Sequence, residues 1–415
     1  MFLKRQIMHA DINHCYAQII EMLYPALKEV PMAVGGHEEL RHGIILARNL
    51  KAKAYRIKTA ETLREALQKC PELVIVPPKY DLFLYYTNLV KDIYLKYTDQ
   101  VESFGLDEAW LDLTNSETLF GPAAKIAKEI QVQVLKELGL TISVGLSFNK
   151  VFAKLGSDLI KPAGFTVITP DNYQKIVWEL PVENLIFIGN KTKAKLNQRN
   201  IFTLGELANL PQGYLKDILG KNGELIWYFA NGYDSSSVAL KSAQEPIKSI
   251  GNSITTPADI SNFEEAKIVF LVLVESVAAR LKEAGLKGNV ISISLRDVKL
   301  SSFSRQRKIM VATNLVSEIM PVVISLLETN YDFKLALRSI GISVSNLYLD
   351  SNQVQLNFFI DDKKRQKQKK LEVCLETIRG KYGFEAIKYL ATSLNPLLTD
   401  FNPKSDHIIH PISWY

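Results

Sequence analysis

The chain has 415 residues, too many for a single hydrophobic core, so two to four domains are expected. A hydrophobic fraction of 47% and a mean hydropathy of +0.01 exclude a disordered chain, and no apolar run reaches the roughly 18–20 residues of a spanning helix. The formal net charge of +6 allows a polyanionic partner without requiring one.

In chain order, residues 3–12 have strand character and run into a helix by residue 20. Residues 27–78 read as a smaller unit. It has a turn at Gly35-Gly36, a strand over 43–47, helices over 49–55 and 62–69, and an apolar run over 73–76 closed by Pro77-Pro78. Residues 80–97 form a long helical stretch whose Phe83, Tyr86 and Tyr94 are core candidates. A strand hairpin around Asp107 follows, then a helix over 122–138, a strand over 141–146, a helix over 148–159 and a strand over 165–168. That order suits an α+β sheet with its helices on one face.

Residues 171–235 are helical segments broken by glycine and proline, and residues 236–248 are polar and read as a linker. A third unit has helices over 264–284 and 315–329, with strands over 291–296, 303–311 and 338–347. Beyond Asp350 the chain reads as a tail, beginning with a solvated charge run over 361–370. Cys15, Cys70 and Cys374 are too few and too scattered for a disulfide framework or metal cluster. With no export signal, they point to a soluble cytoplasmic protein.

Three acids carry the chemistry. Asp11 lies in the first strand segment, and Asp107-Glu108 precedes the apolar run 109–113. If those strands are neighbours, three carboxylates converge at one end of a sheet, a costly arrangement unless cations neutralise it. Oxygen donors suit Mg²⁺, and two such ions clamp the attacking and leaving oxygens of a phosphoryl transfer. Downstream, residues 143–164 form a strand, a small-residue turn and a helix with lysines at 150, 154 and 161, cations suited to a triphosphate. The stretch 185–207, with Lys191, Lys193 and Lys195 beside Gly189, has the pattern of a helix-hairpin-helix that contacts DNA phosphates.

Together the segments Asp11-Ile-Asn-His-Cys-Tyr16-Ala, Gly105-Leu-Asp107-Glu108-Ala and Ser143 through Gly164 resemble the Y family of translesion DNA polymerases, of the bacterial DinB/UmuC or polymerase IV/V type. The resemblance implies an α+β multidomain right hand. Its parts would be a ferredoxin-like palm (1–26 and 79–170), small fingers (27–78), a helical thumb with a helix-hairpin-helix (171–235), a linker (236–248), an α+β little finger (249–350) and a C-terminal tail (351–415). It also implies a monomeric, low-fidelity DNA-templated polymerase of DNA repair and the SOS response, acting on primer-template DNA and dNTPs. Asp11, Asp107, Glu108 and the Ile12 carbonyl would hold two Mg²⁺ ions. Tyr16 would exclude a ribose 2′-hydroxyl, and Lys161 would meet the triphosphate.

Where the family often has a tyrosine and an arginine for that triphosphate, this chain has Leu50 and Lys53, so Lys53 keeps the charge without the bidentate geometry. DNA contacts would come from Lys191, Lys193 and Lys195, with Arg305, Arg307 and Arg338 on the third unit. Residues 354–359 resemble the bacterial sliding-clamp peptide, with Gln355, Leu356, Phe358 and Phe359 as anchors. Two other classes are weighed: a non-catalytic, clamp-tethered DNA-binding paralogue, and a metal-dependent nuclease. The presence of all three acids argues against the first.

Overall fold

The computed structural model describes residues 5–36, 43–243, 246–350 and 362–401. They divide between two compact units, one running to residue 243 and the other from residue 246. The first unit has strands β1 (Ile7–Ile12), β2 (Met32–Gly35), β3 (Ile45–Arg48), β4 (Val74–Val76), β5 (Val101–Phe104), β6 (Glu108–Asp112), β7 (Ile142–Ser147) and β8 (Phe165–Ile168). Five of them form a sheet of order β5-β6-β1-β7-β8, antiparallel except between β7 and β8.

β1 is the central strand and is buried on both faces. Its period of two sends Met8, Ala10 and Ile12 into a core with Leu111, Val144 and the helices Cys15–Leu23, Tyr80–Leu95 and Ala123–Leu138. Ile7 faces the other way, packed with Trp110, Ala153 and Val238. The expectation of helices on one face therefore fails for one element: the helix Lys150–Leu159 covers the opposite face. Gly145 makes this possible, because a Cβ there would lie 2.0 Å from the Ala153 carbonyl oxygen and 2.5 Å from Ser157 N.

The small unit inserted between Cys15–Leu23 and Tyr80–Leu95 is a separate sheet, β3-β2-β4. Asn49 organises it. Its side-chain oxygen accepts from Ala52 N (2.8 Å) and Met32 N (3.1 Å), and its amide donates to the carbonyls of Leu27 and Val30. One residue thus caps the helix Leu50–Ala54 and pins the chain that precedes β2. A third cluster, built on Leu196, Leu204, Leu207, Leu215 and Ile226, unites the short helices between Asn190 and Ala230.

Much of the expected linker is docked to the first unit. Val238 is buried against Ile7 and Trp110, Ala239 N donates to Glu102 (2.9 Å), and Lys241 N donates to the Asp99 carbonyl (3.0 Å).

The second unit is a sheet of order β11-β10-β12-β9, with β9 (Ser249–Ile260), β10 (Leu286–Asp297), β11 (Ser302–Thr313) and β12 (Leu337–Leu349) all antiparallel. The helices Phe263–Glu283 and Val316–Asn330 cover one face, over Ile291, Ile293, Ile340 and Ile342. β9 is absent from the sequence reading. It is an edge strand bearing Gly251 and Pro257, residues that disguise strand character.

Part of the expected tail also belongs to this unit. The helix Asp362–Tyr382 lies against the two core helices, and Leu398 enters their core. Glu372, 3% exposed, accepts from Val316 N (3.1 Å) and Ser317 N (3.3 Å), so it caps a helix more than fifty residues upstream. Its charge is met by Lys282 at 2.8 Å, and Arg379 pairs with the buried Glu275 at 2.6 Å. No described helix is long and apolar enough to cross a membrane.

Candidate active site

β1 and β6 run antiparallel with Asp11 directly opposite Glu108, and Ile12 N donates to the Asp107 carbonyl (3.0 Å). The strand period places His9, Asp11, Glu108 and Trp110 on the face covered by the helix Lys150–Leu159. Two carboxylates directly opposed across strands repel each other. That helix and the turn after it answer with ammonium groups. Lys154 Nζ lies 2.8 Å from Glu108 Oε2 and 3.8 Å from Asp11 Oδ2, and Lys161 Nζ lies 2.6 Å from Asp11 Oδ2. Asp158 holds both lysines, at 3.2 and 2.8 Å.

Asp107 is one residue out of phase with Glu108, in the turn before β6. Its surroundings include Lys91, which burial and the Lys241 charge depress to about 8 and which donates weakly to the Gly105 carbonyl at 3.5 Å.

Electrostatics separate the three acids. Burial, and then the Glu108 charge, raise Asp11 to about 7 against the pull of Lys161 and Lys154. Burial and Glu108 also raise Asp107. Burial opposes the Glu108 charge too, but His9 and Lys154 outweigh it and hold that carboxyl at about 2. For Lys161, desolvation is overcome by Asp11 and Asp158, which keep the amine firmly protonated.

Among the described residues no three acidic, imidazole or thiol groups close on one point as a preformed cation cage. The donor set still fits a hard divalent cation. It is all oxygen and largely buried, and two of its three carboxylates are charged only at a penalty that a cation removes.

Tyr16, second residue of the helix Cys15–Leu23, is half-buried beside this site. Its ring stacks on Phe83 (4.3 Å between centroids, planes 8° apart) and meets Tyr80 edge-on at 5.8 Å. Burial and the nearby Asp107 charge raise its hydroxyl above the ordinary range. The structure thus brings together Asp11, Glu108, Lys154 and Lys161, with Asp107 and Tyr16 adjoining. It does not bring in Lys53, which is exposed on the helix Leu50–Ala54 with Leu50 and pairs with none of the carboxylates.

Lys191, Lys193 and Lys195 share the helix Asn190–Asn197, where Lys193 pairs with Glu183 at 2.6 Å and the other two are exposed. Arg305 and Arg307 lie opposite Ile293 and Ile291, hence on the helix-covered side of their sheet, and Arg307 donates to Ser325 Oγ (3.0 Å). Ser304, Gln306 and Lys308 point to the open side, while Arg338 is half-buried on β12. Gln355, Leu356, Phe358 and Phe359 lie outside the described residues. The sequence reading missed His9 and Ser157, which contact each other across this face. The available signal was the spacing of two between His9 and Asp11 on one strand.

Residues 10–158 match the impB/mucB/samB family, and residues 247–358 match the C-terminal domain of that family. The chain is 44% identical to DNA polymerase IV of Acetivibrio thermocellus over 93% of its own length and 97% of the relative's. It is 37% identical to DNA polymerase IV of Clostridium kluyveri (92% and 97%) and 34% identical to DNA polymerase IV 2 of Bacillus subtilis (93% and 94%). A solved Y-family DNA polymerase chimera, 24% identical, superposes with a TM-score of 0.73 over 83% of this chain and 99% of its own, a likeness of fold.

Proposed function

The chain belongs to the Y family of translesion DNA polymerases, of the DNA polymerase IV type, and on that premise we propose that Asp11, Asp107 and Glu108, with the Ile12 carbonyl, hold two Mg²⁺ ions at the end of β1 and β6. Its reaction is DNA-templated addition of a dNTP to a primer 3′-hydroxyl. Bound in that cradle, the two ions would lower the pKa of the primer hydroxyl and stabilise the pyrophosphate leaving group. The cross-strand Asp11–Glu108 pair under Lys154 and Lys161 is the observation that carries this reading.

The protein's own residues do the rest. Lys161, kept protonated by Asp11 and Asp158, exchanges those partners for the triphosphate oxygens of the incoming nucleotide. Tyr16, its ring braced by Phe83 and Tyr80, stands where a ribose 2′-hydroxyl would have to go. Lys53 contributes charge from the exposed face of the Leu50–Ala54 helix, and Leu50 contributes no donor.

In this reading the five-stranded sheet is the palm (1–26 and 79–170), the β3-β2-β4 unit the fingers (27–78), and the helices of 171–235 the thumb. The span 249–350 is the little finger. Lys191 and Lys195 offer exposed ammonium groups to DNA phosphates, Lys193 joins once released from Glu183, and Arg305, Arg307 and Arg338 contribute from the second unit. We further read Gln355, Leu356, Phe358 and Phe359 as a sliding-clamp peptide, and the protein as a cytoplasmic monomer acting in the SOS response. Nothing favours the non-catalytic paralogue.

Primer extension on a primed template with Mg²⁺ tests the reading. The expected result is lengthening of the primer by the wild type and loss of lengthening in Asp107→Ala. Equal extension by the two removes the proposed site, and shortening of the primer points instead to a nuclease.

A further inference from the structure

We propose that His9 is a positioning residue: its Nε2–H holds the Glu108 carboxylate in place, and Ser157 fixes the tautomer that makes this contact. The inference rests on the reading of Glu108 as a metal ligand. His9 is fully buried on β1, two residues before Asp11 and on the same face. Its ring stands edge-on to Trp110, with 5.2 Å between centroids. Nδ1 lies 2.8 Å from Ser157 Oγ, and Nε2 lies 3.4 Å from Glu108 Oε2.

Apart from the Lys154 ammonium 2.8 Å from Oε2, neither Nε2 nor Oε2 has a well-formed hydrogen bond among the described residues. These two buried atoms lie 3.4 Å apart, longer than a formed hydrogen bond, and contacts of this kind tighten when a site is loaded.

The tautomer follows from the proton count. Ser157 has one hydroxyl proton and two acceptors in reach, His9 Nδ1 at 2.8 Å and the Lys154 carbonyl at 2.7 Å. Given to Nδ1, it leaves the imidazole proton on Nε2, facing Glu108. Given to the Lys154 carbonyl, it forces the imidazole proton onto Nδ1, and a bare Nε2 lone pair then faces a carboxylate oxygen. The first arrangement pairs opposite partial charges and the second opposes two lone pairs, so the geometry assigns the Nε2–H form. A carboxylate ligand oriented by a fixed donor behind it is what outer-shell partners of metal sites supply, and their removal weakens metal affinity or activity by about 10–100-fold.

The test uses the full chain, with His9→Phe (ring kept, nitrogens removed) and His9→Gln (a donor restored), and with Glu108→Gln as the control. Mn²⁺ binding is followed by the loss of the free-ion electron paramagnetic resonance signal. Steady-state dNTP incorporation gives kcat and KM, and ¹⁵N shifts of the wild-type imidazoles are assigned by their disappearance in His9→Phe. The expected results are Mn²⁺ affinity and kcat down about tenfold in His9→Phe, with KM for dNTP within about twofold. His9→Gln should recover part of both, and Nε2 should carry the proton.

Wild-type Mn²⁺ affinity in His9→Phe, no recovery in His9→Gln, or a proton on Nδ1 would each overturn the proposal. If Glu108→Gln weakens Mn²⁺ binding and His9→Phe does not, only the positioning role fails. If Glu108→Gln binds Mn²⁺ as the wild type does, the metal-site reading fails with it. The tautomer measurement, made on the unaltered protein, is independent of any loss of folding in the variants.

Discussion

Tyr16 shows how one side chain can be legible in sequence while its support is not. Its position five residues after Asp11 marks it as the candidate gate, and the helix Cys15–Leu23 delivers it beside the carboxylates. What holds the ring is the parallel stack on Phe83 and the edge contact with Tyr80, both from a helix more than sixty residues away. Aromatic contacts of this kind add about 0.5–1.5 kcal/mol beyond area burial. Tyr16→Ala should raise ribonucleotide incorporation relative to deoxynucleotide by at least about tenfold, a change of about 1.4 kcal/mol in relative barrier. Steady-state incorporation of matched rNTP and dNTP pairs measures it, and unchanged discrimination removes Tyr16 from that role.

At the same scale, the acids are legible as carboxylates beside apolar runs and the lysines at 150, 154 and 161 as a recurring charge, while only the family resemblance singles out Lys161. The bridging by Lys154 and the contact of His9 with Ser157 are not legible. Each depends on the register of β1 against β6 and on which face the helix Lys150–Leu159 takes, and neither is written in local periodicity.

Among the elements, the helix Lys150–Leu159 decides the site. It carries Lys154 and Asp158, and it can approach β7 only because residue 145 lacks a Cβ. The blocking atoms are backbone, which has no rotamer to escape into. Gly145→Ala should therefore destabilise the first unit by about 3 kcal/mol, at the upper end of what overpacking usually does, and displace the lysines from the carboxylates. Calorimetry and dNTP incorporation check both effects, and a variant with wild-type stability and activity would mean that the helix has another way to seat.

The helix itself is legible in the small-residue turn that ends the strand before it. Its side of the sheet is not, since β1 is buried on both faces and its apolar pattern accommodates a helix on either. β9 escaped detection for the reverse reason: an edge strand with Gly251 and Pro257 has little apolar alternation to read.

At the scale of the whole molecule, the segment 362–401 departs most, among the described residues, from its sequence appearance. Its lysine-rich start looks like a solvated tail, and the residues that anchor it are charged as well. Glu372 reaches Lys282 and the start of the helix Val316–Asn330, Arg379 reaches Glu275, and Arg365 reaches Glu318. Charges that anchor and charges that merely solvate are indistinguishable in composition. Removing one partner of a buried pair typically costs about 3–5 kcal/mol. Glu372→Ala should therefore lower the stability of the second unit by about 3 kcal/mol, read as lost hydrogen-exchange protection at the start of Val316–Asn330; protection equal to wild type would show that the cap is dispensable. Phe358→Ala combined with Phe359→Ala should abolish clamp binding in surface plasmon resonance while unassisted extension persists. Loss of both activities would identify the segment as structural instead.

The cross-strand pair Asp11 and Glu108, with Asp107 at the turn, is the metal cradle proposed for the polymerase reaction. Single-turnover incorporation of a correct dNTP with Mg²⁺ by the wild type, Asp11→Asn and Glu108→Gln is the decisive experiment. Each substitution preserves size and removes one charge. The predicted result is a loss of at least about 10³-fold in rate in both variants, about 4 kcal/mol of transition-state stabilisation, with the fold intact by circular dichroism. Incorporation within about tenfold of wild type by either folded variant would mean that these carboxylates do not hold the catalytic metal.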